Sequence, residues 1–280
     1  MYPEIRLFGR SVGTYGLCSF IGFALAVFVG WLLAKRWQKT IDDILLLSLS
    51  IGAGLLLGGH LLYGITRADL VVRTLSETGR VPVREWFASL SEGLGGMVFY
   101  GGFLGGLGAI YVFTRFTRLF ERKNALDLYA VVTPLFHTFG RIGCFFGGCC
   151  YGVEWNHGIL IPENRLNPSV AGVPRFPVQV AEAGCNLLIF LFLLTLFRRR
   201  RADGKLILAY LLIYPVIRFT LEFFRGDEIR GVWFGLSTSQ WISLILFCSA
   251  LAILLLQKTK KAGERTDNRP RSPAEMRNEK

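Results

Sequence analysis

The chain has 280 residues, and 52% of them are hydrophobic. A mean hydropathy of +0.42 is too high for a soluble domain of this length, so the composition indicates an integral membrane protein and excludes a soluble enzyme. The formal net charge of +12 does not indicate nucleic-acid binding, because the basic residues cluster in alternate gaps between apolar segments.

Seven apolar segments are long enough to cross a bilayer as helices, since about 20 residues span its hydrocarbon core. They cover residues 16–34, 43–64, 94–113, 127–146, 178–197, 206–224 and 239–256. The sequence therefore predicts an all-α integral membrane protein, with seven transmembrane helices and an arm and loops on its outer face. We expect one transmembrane domain over residues 1–257 and a basic, disordered cytoplasmic tail over residues 258–280.

The distribution of lysine and arginine predicts how these helices are oriented. The basic gaps lie near residues 35–39, 115–123 and 198–205 and after residue 257, and basic gaps face the cytoplasm. The N-terminus is therefore predicted outside and the C-terminus in the cytoplasm. Residues 1–15 lack the features of a cleaved signal peptide, so we expect the first helix to remain as an anchor.

Several polar side chains occur near the predicted outer ends of the first three helices. Tyr15 is placed either as an interfacial anchor or in a cavity wall. His60 is more typical of a structural hydrogen-bonding residue than of a catalyst. Residues 66–92 are predicted to form a surface arm, with an interfacial helix near 83–90. Tyr100 follows in a glycine-rich segment that is typical of closely packed membrane helices, although its phenol is also placed to enter a cavity.

The segment that ends the fourth apolar run combines His137, Arg141, Cys144, Cys149 and Cys150. A guanidinium at the centre of a membrane helix costs on the order of 3 kcal/mol, so Arg141 indicates a functional site. Histidine and cysteine are zinc ligands, but their spacing here matches no paired-cysteine pattern, and we predict no metal site. A redox pair of the adjacent thiols is the other use that these residue types allow.

The predicted fifth and sixth helices also carry polar and charged residues. Gln179 and Glu182 share a helix face, where the carboxylate either caps the helix dipole or lines a site. Arg218 and Glu222 are four residues apart and are placed to form an ion pair. Because Arg141 adds a further positive charge at similar depth, the excess charge predicts an anionic ligand. Guanidinium groups bind phosphate through a bidentate fork, so we expect a phospholipid headgroup.

These residues lie in motifs that resemble those of a known family. The segment 140–152 resembles the signature Gly-Arg-x-Gly-Asn-Phe-x-Asn-x-Glu-x-x-Gly of bacterial prolipoprotein diacylglyceryl transferases. Further motifs recur in the family's order: Tyr-Gly-Leu at 15–17, Gly-Gly-Met-x-Phe-x-Gly-Gly at 95–102, Phe-Pro-x-Gln-x-x-Glu at 176–182, Arg-Phe-x-x-Glu-Phe-x-Arg at 218–225 and Leu-Ser-x-x-Gln at 236–240. Together the motifs extend over most of the chain.

The resemblance implies an activity and a set of partners. The family transfers diacylglyceryl from phosphatidylglycerol to the lipobox cysteine thiol of a prolipoprotein, which forms a thioether and releases glycerol phosphate. No cofactor and no nucleic acid are implied. The resemblance also implies a multi-pass protein in the bilayer of the bacterial cytoplasmic (inner) membrane.

The resemblance also implies roles for individual residues. Arg141 and Arg218 would hold the phosphate, and Glu222 would orient Arg218. Tyr100, at the position of the family's histidine, would act on the substrate thiol. The expected substrate-binding residues are Tyr15, Cys144, Cys149, Gln179, Glu182 and Arg225.

Four of this chain's departures from the family pattern concern possible site residues. Tyr100 replaces a histidine, Cys144 an asparagine, Cys149 a glutamate and His60 an arginine. Tyrosine is a poor base near pH 7, because its unperturbed pKa is about 10, so His137 is the alternative base. Two interpretations remain open: the same reaction with a rearranged base, or a scaffold that binds an anionic phospholipid and performs thiol redox or other lipid-transfer chemistry. The sequence shows no internal repeat, which argues against a transporter.

Overall fold

The computed structural model describes residues 4–7, 9–160, 171–199, 204–227 and 232–267. Most of these residues are α-helical. The helices are α1 Thr14–Ala34, α2 Ile41–Thr66, α3 Ala68–Ser76, α4 Val83–Leu94, α5 Phe99–Phe116, α6 Arg122–Gly147, α7 Val178–Arg199, α8 Leu206–Glu222 and α9 Thr238–Asp267. Three antiparallel pairs of short strands accompany them in the described ranges: β1 Glu4–Leu7 with β2 Arg10–Gly13, β3 Glu154–Leu160 with β4 Pro174–Arg175, and β5 Val232–Trp233 with β6 Leu236–Ser237.

Helix length and composition confirm an α-helical membrane protein but not the predicted count of seven spans. Among the described residues, α1, α2, α7 and α9 are each long and apolar enough to cross a bilayer. The pair α4 and α5, bent by 88°, makes a fifth candidate if it is counted as one span. The helix α8 has 17 residues, about 26 Å at 1.5 Å per residue, and α6 carries buried charged residues that lower its hydropathy.

The helix α6 lies at the centre of the bundle. It packs against α1 and α7 along much of its length and also contacts α5 and α8. It buries polar as well as apolar side chains, among them Asp127, His137 and Arg141. Asp127 and Arg141 of α6 therefore face other helices rather than lipid, as buried membrane charges generally do.

The helices α2 and α5 approach each other through glycines. A Cβ at Gly54 or Gly58 would collide with backbone atoms of α5, and one at Gly101 or Gly105 would collide with α2. Small residues allow this backbone contact, as the glycine-rich sequence predicted. The contact fixes α5, whose first turn carries Phe99 and Tyr100.

Replacing Gly105 with alanine is expected to destabilise the protein by about 1–3 kcal/mol, because the added methyl group would meet the carbonyl oxygen of Gly54. Gly108 on the same helix faces open space, so Gly108→Ala is expected to stabilise by up to about 1 kcal/mol through helix propensity. Free energies of unfolding in detergent, followed by circular dichroism, measure both changes. Equal values for the two variants would contradict the close approach of α2 and α5.

The predicted surface arm consists of α3 and α4, which contact each other. The interfacial helix expected at 83–90 begins at Val83 and continues to Leu94 as α4. His60 Nδ1 lies 2.8 Å from the carbonyl oxygen of Leu94 and 2.9 Å from that of Gly96, and therefore donates to the bend between α4 and α5. These contacts agree with the structural role predicted for His60.

The last helix begins within one residue of its predicted start but extends beyond its predicted end. Its first turn is a capping box: the Ser237 N–H donates to Gln240 Oε1 at 2.9 Å, and the Gln240 N–H donates to Ser237 Oγ at 3.2 Å. The Leu-Ser-x-x-Gln motif thus starts α9. At the other end the backbone remains helical to Asp267, so the predicted domain boundary at 257 is not a helix end. The rest of the predicted tail, residues 268–280, lies outside the described residues.

Candidate active site

Glu182 joins three helices at the centre of the candidate site. It lies in the second turn of α7 and is 1% exposed. Arg141 Nη2 of α6 donates to Oε1 at 2.9 Å and lies 2.8 Å from Oε2. The Tyr214 hydroxyl of α8 donates to Oε1 at 3.1 Å, and His137 Nε2 lies 3.7 Å from the same oxygen. Glu182 therefore neutralises Arg141 inside the bundle rather than only capping α7.

His137 lies where α5, α6 and α8 meet. Its ring stacks on Phe99, with centroids 3.9 Å apart and planes inclined by 14°. The Tyr214 ring packs edge-on against both rings at 5.4 Å. His137 Nδ1 is buried and forms no well-aligned hydrogen bond. The imidazole is thus held in place by ring contacts and interacts with the side chain of Asn186 on α7.

A second ion pair connects α8 to α9. Arg218 Nη1 lies 2.6 Å from Glu222 Oε2, which confirms the predicted pairing across one helical turn. Arg218 Nη2 also donates to Ser239 Oγ at 3.1 Å. Both charged residues are largely buried. Arg218 is therefore fixed by one contact within its own helix and one to the first turn of α9.

Tyr100 belongs to the same hydrogen-bond network as Arg218. Its oxygen lies 2.6 Å from Ser243 Oγ, and the Ser243 hydroxyl donates to the Ser239 carbonyl oxygen at 2.8 Å. Because that serine proton is already engaged, the tyrosine hydroxyl is the donor to Ser243. Tyr100 is 3% exposed, and its ring packs against Tyr214 at 6.1 Å. The two ion-pair clusters are therefore neighbours.

Arg225 lies just beyond α8 and next to the end of the signature segment. Its Nε and Nη2 donate to the two carboxylate oxygens of Asp227 at 3.1 and 2.8 Å. Its backbone forms a β-bridge with Gly152, where a Cβ would collide with the Phe176 carbonyl oxygen. The last glycine of the signature is therefore required for backbone contact. A cleft of about 250 Å³ adjoins this region and is lined by Glu222, Phe223, Arg225, Asp227, Val232, Gly235, Ser237 and Gln240.

The clustered cysteines lie at the end of α6 and in the turn that follows. Cys144, Cys149 and Cys150 are free thiols, and their sulfur atoms all lie within 4.8 Å of one another. Gln179 Nε2 donates to the Cys149 carbonyl oxygen at 2.8 Å, which ties this turn to α7. The structure thus places Gln179, Cys144 and Cys149 together, on the side of the site where α6 ends.

Tyr15 lies on α1, beside the same end of α6. Its side chain is 51% exposed, and its backbone packs against Gly143, where a Cβ would lie 3.2 Å from the Tyr15 Cα. Arg141 and Cys144 are among the groups that interact electrostatically with its phenol. Tyr15 therefore adjoins the site through α1 but contributes none of the hydrogen bonds described above.

The expected excess of positive charge at the site is wrong. Arg141 pairs with Glu182, Arg218 with Glu222 and Arg225 with Asp227. The Arg141 partner was not assigned because it is 41 positions away and is brought close only by the packing of α6 on α7. Arg141 nevertheless keeps free donor capacity, since its Nε is buried without a hydrogen-bond partner. A paired guanidinium with remaining N–H groups can still bind an anionic oxygen.

Sequence reasoning missed Tyr214, Ser239 and Ser243, which bind the predicted residues directly. Tyr214 lies one turn before Arg218 on α8, so a search for polar residues four positions from each buried arginine would have found it. The two serines follow the Leu-Ser motif on α9 and are themselves four positions apart. Their contacts with Arg218 and Tyr100 depend on helix packing, for which the sequence contains no direct signal.

Similarity to known proteins agrees with the motifs. The family profile of prolipoprotein diacylglyceryl transferases matches residues 4–256. The chain is 32% identical over 263 residues to phosphatidylglycerol--prolipoprotein diacylglyceryl transferase 2 of Clostridium perfringens, with 91% of this chain and 94% of the relative covered. It is 31% identical over 264 residues to the phosphatidylglycerol--prolipoprotein diacylglyceryl transferase of Clostridium tetani, with 91% of this chain and 97% of the relative covered. The chain therefore belongs to the prolipoprotein diacylglyceryl transferase family.

Proposed function

We propose that this protein transfers the diacylglyceryl group of phosphatidylglycerol to the lipobox cysteine of a prolipoprotein. Family membership and the names of the relatives, which are diacylglyceryl transferases, support this function. The observation that carries it is Arg141, a buried guanidinium held by Glu182 with an unused Nε–H. A phosphate oxygen is a suitable acceptor for that group.

The proposed reaction is a displacement at the carbon of the diacylglycerol unit that is bonded to the phosphate oxygen. The substrate thiol loses its proton to a base, and its sulfur forms a bond to that carbon. The carbon–oxygen bond breaks, and glycerol phosphate leaves with the electron pair. Arg141 and Arg218 stabilise the negative charge that grows on the departing phosphate, which lowers the barrier more than binding the resting diester would. Glu182 and Glu222 act as positioning residues for these arginines.

The remaining predicted residues surround this centre. Cys144, Cys149 and Gln179 line the side at the end of α6, where Tyr15 is half exposed. Arg225 borders the cleft beside Glu222. We assign these side chains to binding of the lipid headgroup and the peptide, because they lie near the arginines but are not the ion-pair partners of Arg141 or Arg218.

We assign the role of base to His137 and a positioning role to Tyr100. His137 Nδ1 forms no well-aligned hydrogen bond and the ring lies near Glu182, whereas the Tyr100 hydroxyl already donates to Ser243. His137→Gln is expected to lower kcat by about 100- to 10,000-fold. Tyr100→Phe is expected to lower it by less than about tenfold, since one neutral hydrogen bond is lost.

Initial rates of transfer measured at saturating lipid test this assignment. Tyr129→Phe is the control for Tyr100→Phe, because the Tyr129 hydroxyl is also buried but donates to the Phe103 carbonyl oxygen. A larger loss for Tyr100→Phe than for His137→Gln would assign the base to Tyr100 instead.

The function itself is tested with purified protein, labelled phosphatidylglycerol and a lipobox peptide. We expect a thioether product on the peptide cysteine and equimolar glycerol phosphate, both detected by mass spectrometry. Expression in a bacterial cell depleted of its own transferase is expected to restore lipoprotein maturation. If neither occurs, the proposal is wrong. The alternative is that the same scaffold performs thiol chemistry. Only the convergence of three thiols favours it. It predicts that Cys149→Ser and Cys150→Ser abolish the function of the protein.

We further propose that seven helices cross the inner membrane, with the N-terminus outside and the C-terminus in the cytoplasm. The additional spans are α6 and α8, whose buried polar residues face other helices. Basic residues at 35–39, 115–123 and 198–205 support this orientation. In this arrangement Arg141 and Arg218 lie in the outer half of the bilayer, where a secreted prolipoprotein is accessible.

A further inference from the structure

The three clustered thiols converge because the backbone reverses sharply after α6. Cys144 lies in the last turn of the helix, and Gly148 ends it in the left-handed conformation at φ 72°. Cys150 is also left-handed, at φ 57°, which is uncommon for a residue other than glycine. These two conformations fold the turn back, so the sulfur atoms of Cys144, Cys149 and Cys150 lie within 4.8 Å of one another.

Access and ligand type both suit a metal ion. Thiolate sulfur is the form that binds metal ions. Cys144 is buried and Cys149 is exposed, so an ion has a path from the surface to the cluster.

We propose that Cys144, Cys149 and Cys150 form a binding site for one thiophilic d¹⁰ metal ion, Zn²⁺ or Cu⁺. Thiolates select these ions over hard cations such as Mg²⁺. Metal–sulfur bonds of about 2.3 Å place the sulfurs about 3.8–4.0 Å apart, so the observed cluster needs to contract by only about 1 Å. Binding releases the remaining thiol protons to solvent.

A bound metal ion would offset much of the negative charge of the thiolates. Three thiolates carry three negative charges, so a complex with Zn²⁺ retains one and a complex with Cu⁺ retains two. Arg141 and Arg225 both interact electrostatically with Cys150. A disulfide would engage only two of the three sulfurs. A metal ion is therefore the occupant that uses the whole cluster.

The site would have a structural consequence for the arginine beside it. Gln179 already holds the Cys149 carbonyl oxygen, and Arg141 lies one turn before Cys144 on α6. A metal ion would clamp this turn onto the end of α6. The cysteines would thus order the segment between Arg141 and Gly152 in place of the asparagine and glutamate of the family signature.

The test uses the full-length protein in detergent, reduced and handled without oxygen. Cobalt(II) serves as the spectroscopic probe for Zn²⁺, and competition with a chromophoric Cu⁺ chelator covers the other ion. We expect one equivalent of metal per chain. With cobalt we expect a thiolate-to-metal charge-transfer band in the near ultraviolet that added Zn²⁺ removes. Cys149→Ser, at an exposed position, is expected to abolish the band while the helical circular dichroism is kept.

Cys248→Ser is the matched control, because Cys248 is a free and exposed thiol on α9, remote in sequence from the cluster. It is expected to bind metal as the parent does. The proposal is overturned if the parent binds neither Co²⁺ nor Cu⁺, or if Cys149→Ser and Cys248→Ser bind equally. It is also overturned if anaerobically purified protein contains a disulfide within the cluster. None of these readouts depends on transferase activity.

Discussion

Replacing Arg141 with lysine is expected to lower diacylglyceryl transfer by about 100- to 1,000-fold while the protein remains folded. Lysine keeps the positive charge beside Glu182, so the buried carboxylate retains a partner. It loses the planar fork and the Nε–H, which is the donor left over for a phosphate. The expected loss is therefore one of transition-state stabilisation rather than of folding.

Initial rates with labelled phosphatidylglycerol and a lipobox peptide measure this loss. Arg36→Lys is the matched control, since Arg36 Nη1 donates to the Phe197 carbonyl oxygen at 2.9 Å, far along the chain from the site. We expect that variant to transfer at close to the parent rate. A rate for Arg141→Lys within about threefold of the parent would show that the fork of this arginine does not act on the phosphate.

Replacing Glu182 with alanine is expected to destabilise the protein by about 3–5 kcal/mol, the cost of leaving a buried charge without its partner. The change removes the carboxylate that receives Arg141 and the Tyr214 hydroxyl. Glu182→Gln keeps an acceptor for the hydroxyl and is expected to cost less. The double variant Arg141→Gln/Glu182→Gln is expected to be more stable than Glu182→Ala, because no unpaired charge remains.

Free energies of unfolding in mixed detergent micelles measure these differences. The pair Arg73 and Glu77 on α3 provides the control, since its atoms lie 3.3 Å apart but both side chains are exposed. We expect Glu77→Ala to cost about 0.5 kcal/mol or less. If Glu182→Ala costs no more than Glu77→Ala, Glu182 does not hold Arg141 in the membrane protein.

Contacts that depend on residue spacing within a helix, or on glycines along it, could be predicted from the sequence. The pairing of Arg218 with Glu222 follows from helical spacing, and the close contact of α2 and α5 follows from their glycines. The number of membrane spans was harder to predict. A central helix that buries charged residues can have the same hydropathy as a helix on the protein surface. This is why α6 is apolar enough to be predicted as a span but too polar to be confirmed by composition.

Contacts between distant helices could not be predicted. Glu182 and Arg141 are 41 positions apart, and Tyr100 and Ser243 are 143 positions apart. No sequence motif encodes either contact, because each contact depends on which helix faces pack together. The charge count therefore predicted a positive site where the structure shows three ion pairs. Family motifs singled out residues that the structure brings close together, but they gave no information about which of them touch.

The pairing of each site arginine with a carboxylate has a consequence for turnover. In the proposed reaction, glycerol phosphate must leave the site before the next lipid enters. Two uncompensated guanidinium groups in a low-dielectric bundle would attract that anion strongly and delay its departure. Because Glu182 and Glu222 offset the charge of Arg141 and Arg218, the phosphate is held mainly by directional hydrogen bonds. Such bonds weaken as soon as the product shifts, and product release is a step that often limits kcat.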